Sequence, residues 1–192
     1  MDDLLRTALY EGRAGREEPG LSSLSEGDPL YPKLWRNPCW LSFRLNYLAL
    51  RFNNPVYGLI QQQLGLLRPE FVVLWSLYLS AELTLTEVVR SSGFPKNTLS
   101  RAVNKLDTLG MISRELDPID QRRVALKLTE KGRLAVEAVE AKMMDHERMM
   151  LESLSPAERL NLSEILTKLV VASESWPQQL VADLEPIEGE DT

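Results

Sequence analysis

The feature that most constrains the fold is a change in the spacing of apolar residues along the chain. Up to about residue 110 they recur every three or four positions, as in Leu41, Leu45 and Leu48, which is typical of amphipathic α-helices. In two short segments, 112–116 and 124–128, apolar and polar residues instead alternate, which is typical of β-strands. The helical spacing then returns. The sequence therefore predicts a mainly α-helical protein with one small β-hairpin.

Local signals predict where the helices begin and end. A helix from Trp40 is expected to stop at Gly65, and Pro55 either kinks it or begins a new first turn. A second, largely buried helix covers 71–79, after Pro69. Residues 11–32 are rich in Gly, Pro and Ser and are expected to be irregular. The remaining signals are a capping box at Thr84 and Glu87, stops at Gly93 and Gly110, and a helix start at Ser155, Pro156 and Glu158.

Charge is distributed unevenly. The chain as a whole carries a formal charge of −6, which by itself argues against binding nucleic acid. Between residues 84 and 133, however, ten basic and six acidic residues give +4, so the rest of the chain carries −10. A basic block inside an acidic frame indicates that any contact with an anionic partner is confined to that block.

The order helix, helix, strand, charged turn, strand is that of a winged helix-turn-helix, whose second helix enters the DNA major groove. In the helix after Pro95, the predicted recognition helix, Leu99, Val103, Leu106 and Leu109 form an inner apolar stripe. Polar side chains that can read bases lie on the opposite face, with lysines that suit phosphates at its flanks. The candidate DNA-binding residues on this helix are Lys96, Asn97, Thr98, Ser100, Arg101, Asn104 and Lys105.

The hairpin resembles the wing of one known family. Residues 120–132 read DQRRVALKLTEKG and match the D-x-R-x-x-x-x-x-L-T-x-x-G signature of MarR-type transcriptional regulators. The T-x-x-E helix start and the KLDTLGMISR stretch match as well, and the resemblance covers about residues 40–175. The matching signature positions are Asp120, Arg122, Leu128, Thr129 and Gly132.

The resemblance implies a homodimeric DNA-binding regulator, most commonly a repressor released by a ligand. The wing would place Arg122 in the minor groove, with Asp120 holding the tip, Arg123 as a second cation and Arg114 at the wing's base. Two-fold symmetry implies a pseudo-palindromic double-stranded operator with half-sites about 10 base pairs apart. Within the resemblance, the expected parts are a first dimerisation helix (40–67), the winged helix-turn-helix (68–133) and C-terminal dimerisation helices (134–176). Outside it, composition predicts an N-terminal arm (1–39) and an acidic tail (177–192).

The family also implies a small-molecule pocket between the dimerisation helices and the winged domain. Aromatic faces together with cations suit an aromatic acid or an aryl acyl-CoA thioester. The same side chains are also compatible with ordinary core and surface roles. The candidate ligand-binding residues are Trp40, Arg44, Tyr47, Arg51 and Trp75.

Two other functions stay open. Some MarR-type regulators sense peroxide through one cysteine near the first helix, and Cys39 in the segment NPCW holds a comparable position. A winged helix that binds protein instead of DNA is the other alternative.

Several classes of protein are not expected. No nucleophile-elbow, dinucleotide-binding or P-loop motif is present, so we expect no enzyme and no catalytic residues. One His, His146, and one Cys cannot supply a zinc site, so no metal and no cofactor are expected. No apolar run is long enough for a membrane helix, and a cytoplasmic protein is expected.

Overall fold

The computed structural model describes residues 27–116 and 124–177 of the 192-residue chain. This part is mainly helical with one small antiparallel sheet, which confirms the predicted fold class, and no helix in it is long and apolar enough to cross a membrane. The elements are α1 (Leu30–Trp35), α2 (Trp40–Leu64), α3 (Arg68–Ser80), β1 (Glu82–Thr84), α4 (Leu85–Ser92), α5 (Lys96–Thr108), β2 (Ile112–Leu116), β3 (Val124–Leu128), α6 (Glu130–Met150), α7 (Pro156–Ala172) and a 3₁₀ turn (Ser173–Ser175).

Helix α2 runs without interruption through Pro55. It ends at Gly65, whose φ of 65° is the left-handed conformation of a glycine C-cap, as predicted.

Helix α1 was not anticipated, because residues 11–32 were expected to be irregular. Its first turn is stabilised by Asp28, whose Oδ1 accepts a hydrogen bond of 2.7 Å from the Leu30 amide.

The sheet has the strand order β1–β3–β2 and is antiparallel throughout. Strands β2 and β3 are the predicted hairpin strands, with Ile112 opposite Leu128 and Leu116 opposite Val124. Strand β1 was not predicted because three residues are too few to show an alternating pattern. It pairs with β3 from Glu82 opposite Lys127 to Thr84 opposite Ala125, so the base of the wing is held on both sides of β3.

The core of the first compact unit, which ends at residue 147, supports helix α5 from behind. Phe71, Leu74 and Leu77 of α3 are buried, which confirms that this helix is largely internal. They share one cluster with the inner stripe of α5, where Leu99 and Leu106 are fully buried. Fully burying a leucine contributes roughly 1.5–3 kcal/mol. The position of α5 is therefore set by apolar packing, which leaves its polar face for other contacts.

The start of α6 explains why the wing signature contains threonine and glycine. The Thr129 hydroxyl donates to the Gly110 carbonyl at 2.8 Å and accepts from the Gly132 amide at 3.2 Å. A Cβ placed on Gly132 would lie only 2.0 Å from the Met111 carbonyl oxygen. The close approach of α6 to the residues just before β2 therefore requires glycine at this position.

The second compact unit begins at residue 148 and contains α7. Ser155 caps this helix by accepting a hydrogen bond from the Glu158 amide, while the Glu158 carboxylate accepts one from the Ser155 amide at 2.8 Å. These bonds confirm the predicted capping box. The hydrogen bond that the Ser155 hydroxyl donates to the Glu158 carboxylate, followed by that from the Ser155 amide, lowers the pKa of Glu158. None of the α7 residues is buried, and Leu160, Ile165, Val170 and Val171 are all more than half exposed.

Candidate nucleic-acid interface

Helices α4 and α5 form the predicted helix-turn-helix. The Glu87 carboxylate accepts a 2.7 Å hydrogen bond from the Thr84 amide, so the capping box that was predicted to start α4 is confirmed. Helix α4 ends at Gly93, which has a φ of 70°. Pro95 then occupies the N-cap position of α5, where its lack of an N–H has no consequence.

The outward face of α5 carries the side chains that were predicted to meet DNA. Lys96, Asn97, Arg101 and Asn104 are exposed. Thr98 and Ser100 are half-buried, nearer the body of the protein. The inner stripe includes Ala102 besides Leu99, Val103 and Leu106, whereas Leu109 lies beyond the helix end and is 37% exposed. No carboxylate interrupts this face before Asp107, so it can approach a polyanion without like-charge repulsion.

Lys105 has a protein partner. Its Nζ lies 3.1 Å from Oε2 of Glu70, a carboxylate that is only 7% exposed. The same carboxylate accepts a hydrogen bond from the Leu67 amide at the start of α3. A buried carboxylate needs such a cation, because leaving the charge unpaired away from water is unfavourable. Lys105 therefore ties the recognition helix to α3, a link between distant residues that the sequence did not reveal.

Arg114, on strand β2, contacts two side chains of α5. Its Nε lies 2.9 Å from Oδ2 of Asp107, and its Nη2 donates a hydrogen bond of 2.5 Å to Oδ1 of Asn104. The contacts join the base of the wing to the exposed face of the recognition helix. Neither partner of Arg114 was anticipated from the sequence.

On the neighbouring strand, Lys127 bridges two carboxylates. Its Nζ lies 2.6 Å from Glu115 and 3.3 Å from Glu82, and hydrogen bonding to these groups, Glu115 foremost, raises the pKa of Lys127. The wing-tip residues Asp120, Arg122 and Arg123 lie outside the described residues. Of the predicted DNA-binding set, the structure thus brings together the seven residues on α5 and Arg114.

A cavity of about 710 Å³ lies within the first unit and is bordered by α2, α3, α4 and α6. Trp75 lines it and stacks between Phe71 and Tyr78, with ring centroids 6.1 and 5.8 Å away. Arg68 also lines it, with its guanidinium 5.3 Å from the centroid of the Tyr57 ring and 5.4 Å from that of Phe94. Further polar groups on the wall are Arg90, Glu87, Glu147 and several serines.

The other four predicted ligand residues do not line this cavity. Arg44 lies over the rings of Trp40 and Trp35, at 4.9 and 5.4 Å, and donates a hydrogen bond to the Leu34 carbonyl. Arg51 lies over Tyr47 at 5.8 Å. These residues form cation–π contacts on α1 and α2, outside the cavity wall. Arg68 and Arg90 were missed because only the folded chain brings them beside Trp75.

The single histidine contacts α2 at its proline. Proline has no N–H, so Pro55 leaves the carbonyl of Arg51, four residues earlier, without its usual helical donor. Nε2 of His146 lies 3.3 Å from that oxygen, and the imidazole stacks on Phe52 with a centroid distance of 5.5 Å. Because a carbonyl only accepts, a hydrogen bond here requires the tautomer that carries its proton on Nε2. His146 thus supplies the donor that Pro55 lacks.

Cys39 is exposed and lies immediately before α2 as its N-cap residue. Its amide donates a hydrogen bond of 2.8 Å to Oδ1 of Asn37. Among the residues that the structure describes, no group of three or more His, Cys, Asp or Glu side chains is arranged to hold a metal ion.

Comparison with known proteins agrees with this geometry. The family model described as MarR family matches residues 64–123, from the end of α2 into the wing. The HTH-type transcriptional repressor Rv2887 of Mycobacterium tuberculosis is 27% identical over 128 residues, which cover 65% of this chain and 92% of the repressor. An uncharacterised HTH-type transcriptional regulator of Bacillus subtilis, YdgJ, is 25% identical over 105 residues, and the match spans 55% of this chain and 64% of that protein.

A solved structure shows the same similarity. The structure of Bordetella bronchiseptica BpsR, from work on the regulation of its DNA binding by 6-hydroxynicotinic acid, superposes with a TM-score of 0.53 at 25% identity. The similarity covers 66% of this chain and 98% of BpsR. The match to the MarR family model covers α3 to β2, which include the helix-turn-helix, so the chain is similar to MarR-family transcriptional regulators in both sequence and fold.

Proposed function

We propose that this protein is a sequence-specific regulator that inserts α5 into the major groove of double-stranded DNA. The observation that carries the proposal is the exposed, cationic face of α5, which is free of carboxylates up to Asp107 and is supported from behind by a buried apolar stripe. Arg101 and Asn97 are placed to read base edges, and Lys96 to contact phosphate. Arg122 of the wing is proposed to enter the adjacent minor groove. As a regulator of transcription, the protein is proposed to act in the cytoplasm.

The proposed assembly is a homodimer. Dimerisation through α2 and α7, with a contribution from residues 1–39, accounts for the exposed apolar residues of α7 and of the first half of α2, where Leu48 is 51% exposed. Apolar side chains exposed along a helix are typical of a surface that packs against a partner. Two-fold symmetry then implies a pseudo-palindromic operator with half-sites about 10 base pairs apart.

Substitutions that remove one cation each test the DNA-binding proposal. Arg101→Ala and Arg122→Ala are both expected to weaken operator binding in a gel-shift or fluorescence-anisotropy titration, and only Arg101→Ala is expected to relax base preference. Lys142→Ala, which removes an exposed cation from α6, is the matched control and should leave affinity unchanged. Binding that is insensitive to both arginine substitutions would favour the alternative of a protein-binding winged helix.

We further propose that the protein is a repressor whose ligand occupies the 710 Å³ cavity. Rv2887 is described as a repressor, and BpsR responds to an aromatic acid, 6-hydroxynicotinic acid. In this chain, Trp75 offers an aromatic face and Arg68 a cation on the same wall, which suits an aromatic carboxylate or an aryl acyl thioester. Release from DNA requires that the ligand bind more tightly to a dimer whose recognition helices no longer match the half-sites.

Titration of the operator complex with aromatic acids and their CoA thioesters tests the ligand proposal. At least one compound is expected to release DNA and to quench tryptophan fluorescence. Arg68→Met should weaken its effect, whereas Arg51→Met, which removes a cation outside the cavity wall, should not. Release that survives Arg68→Met unchanged, or no release by any compound of either class, counts against the cavity as the effector site.

The exposure of Cys39 favours one alternative, a regulator that responds to oxidation of its thiol. Alkylation of Cys39 separates the two mechanisms. If the thiol is the sensor, alkylation will change operator binding or abolish a response to peroxide. If the cavity is the sensor, alkylation will leave operator binding and its release by the aromatic ligand unchanged.

A further inference from the structure

We propose that Arg114 fixes the orientation of the Asn104 amide so that Asn104 presents only hydrogen-bond donors to DNA and selects guanine over adenine. This inference rests on the proposed DNA-binding function and adds a base preference at one position of the operator. It follows from the two contacts that join β2 to the exposed face of α5.

The first step concerns which end of the amide faces Arg114. A guanidinium has five N–H donors and no acceptor, so the atom of Asn104 that it meets must be the oxygen. The 2.5 Å contact between Arg114 Nη2 and Asn104 Oδ1 therefore leaves the NH₂ group pointing away from the arginine. In an isolated asparagine either end can turn outward, since the side chain carries both donors and acceptors.

The second step concerns what holds Arg114 itself. Its Nε lies 2.9 Å from Oδ2 of Asp107, which is three residues after Asn104 on the same helix. The planar fork of the guanidinium thus spans two side chains of α5 at once. A charge-assisted contact and a second hydrogen bond from one rigid group restrict both partners more than a single lysine contact would.

The third step is the consequence for base recognition. Asparagine reads adenine by accepting from N6 while donating to N7, which requires its oxygen to face the base, whereas the contact with Arg114 turns that oxygen toward β2. Guanine offers two acceptors in the major groove, N7 and O6, which match the outward NH₂ group. Adenine would place its own N6 donor against that group. Arg114 is therefore a positioning residue, and Asn104 determines specificity.

Selection of operators from a random duplex pool by the full-length protein tests the proposal. Asn104→Ala locates the position, which is the one where base preference disappears. At that position we expect the natural chain to favour guanine over adenine by about fivefold or more, the lower end of what one specific base contact contributes. Arg114→Met should reverse the preference toward adenine, because the freed oxygen can then accept from N6.

Two further variants separate positioning from general effects of charge or stability. Arg114→Lys keeps a group that only donates, and is expected to retain the guanine preference. Lys127→Met removes a cation from the neighbouring strand, where it pairs with Glu82 and Glu115, and is expected to weaken binding without changing base preference.

The possible outcomes test the base preference separately from the proposed DNA-binding function. An adenine preference in the natural chain, a guanine preference that survives Arg114→Met, or an Asn104→Ala selection identical to that of the natural chain would each overturn the inference while leaving DNA binding intact. Failure of the natural chain to enrich any sequence would overturn both.

Discussion

Gly132 shows how a single residue can determine the junction between two elements. The atom nearest to a Cβ at this position is a backbone oxygen, that of Met111, at 2.0 Å. A flexible side chain could move aside, but a carbonyl at the start of the sheet cannot move without shifting the strand. The glycine of the wing signature is thus explained by close packing.

We predict that Gly132→Ala lowers the free energy of unfolding by about 2 kcal/mol or more, since overpacking of this kind typically costs 1–3 kcal/mol. Gly58→Ala is the matched control, because it also lies within a helix and has nothing within 4 Å of the added Cβ. It should stabilise the protein by about 0.5–1 kcal/mol. Urea denaturation measures the change in the free energy of unfolding for each variant. Equal changes for the two substitutions would contradict the packing explanation.

The two lysines of α5 are expected to differ in how they bind phosphate. Lys105 is already paired with the buried Glu70, whereas Lys96 lies exposed at the start of the helix. Lys96→Met should therefore reduce the slope of log K against log salt by about 1, the value for one lost phosphate contact, and Lys105→Met by less. Anisotropy titrations at several salt concentrations provide the slopes. An equal reduction for both lysines would show that DNA displaces Glu70 from Lys105.

At the scale of secondary-structure elements, His146 compensates for the proline inside α2. Helix-interior proline normally weakens a helix because one carbonyl loses its donor. Here the donor comes from α6, so the defect in one helix becomes a contact between two helices. Phe52, on which His146 stacks, and Met143 both line the cavity, so this contact lies directly beside the proposed effector site.

A double-mutant cycle tests this compensation. His146→Leu should lower the free energy of unfolding by about 1 kcal/mol, because the Arg51 carbonyl then lacks a protein donor. In a Pro55→Ala background the backbone N–H at position 55 is restored and can bond to that carbonyl. The same histidine substitution should then cost less, with a coupling energy of at least about 0.5 kcal/mol. Identical costs in the two backgrounds would refute the compensation.

The elements that could be predicted from the sequence are those whose signals are local. The capping boxes at Thr84 and Ser155, the stop at Gly65 and the change of spacing at Ile112 each depend on neighbouring residues, and the structure confirms all four. Strand β1 is too short to carry a pattern. The pairs formed by Lys105 with Glu70, Arg114 with Asn104 and His146 with Arg51 join residues 10 to 95 positions apart, which no local spacing reveals.

At the scale of the whole molecule, charge is distributed unevenly along the chain. The basic block, residues 84–133, coincides with α4, α5 and the wing strands, while apolar side chains remain exposed on α7. The whole-chain charge of −6 is therefore a poor guide to function. Because the residues outside the basic block carry −10, we expect DNA to bind only at the block.

We predict that Ile165→Glu disrupts the proposed dimer. Ile165 is 55% exposed on a helix without any buried residue, and a carboxylate at this position would have to be desolvated for α7 to pack against a partner. Analytical ultracentrifugation should show a dimer for the natural chain and at least about tenfold weaker association for the variant, a change of about 1.4 kcal/mol. Asn161→Glu, which adds the same charge at an exposed polar position of the same helix, is the control and should leave association unchanged. A natural chain that remains monomeric at tens of micromolar would contradict the assignment.

The strand order β1–β3–β2 has a consequence for solubility. In the described sheet the central strand is paired on both sides, so β1 and β2 are the edges at which another chain can add a strand. Strand β1 has only three residues, while β2 is longer and ends in an exposed leucine, Leu116. The charges of Arg114 and Glu115 protect that edge, because a second copy pairing there would have to bury them. The arginine that orients the Asn104 amide therefore also helps to keep the wing from aggregating.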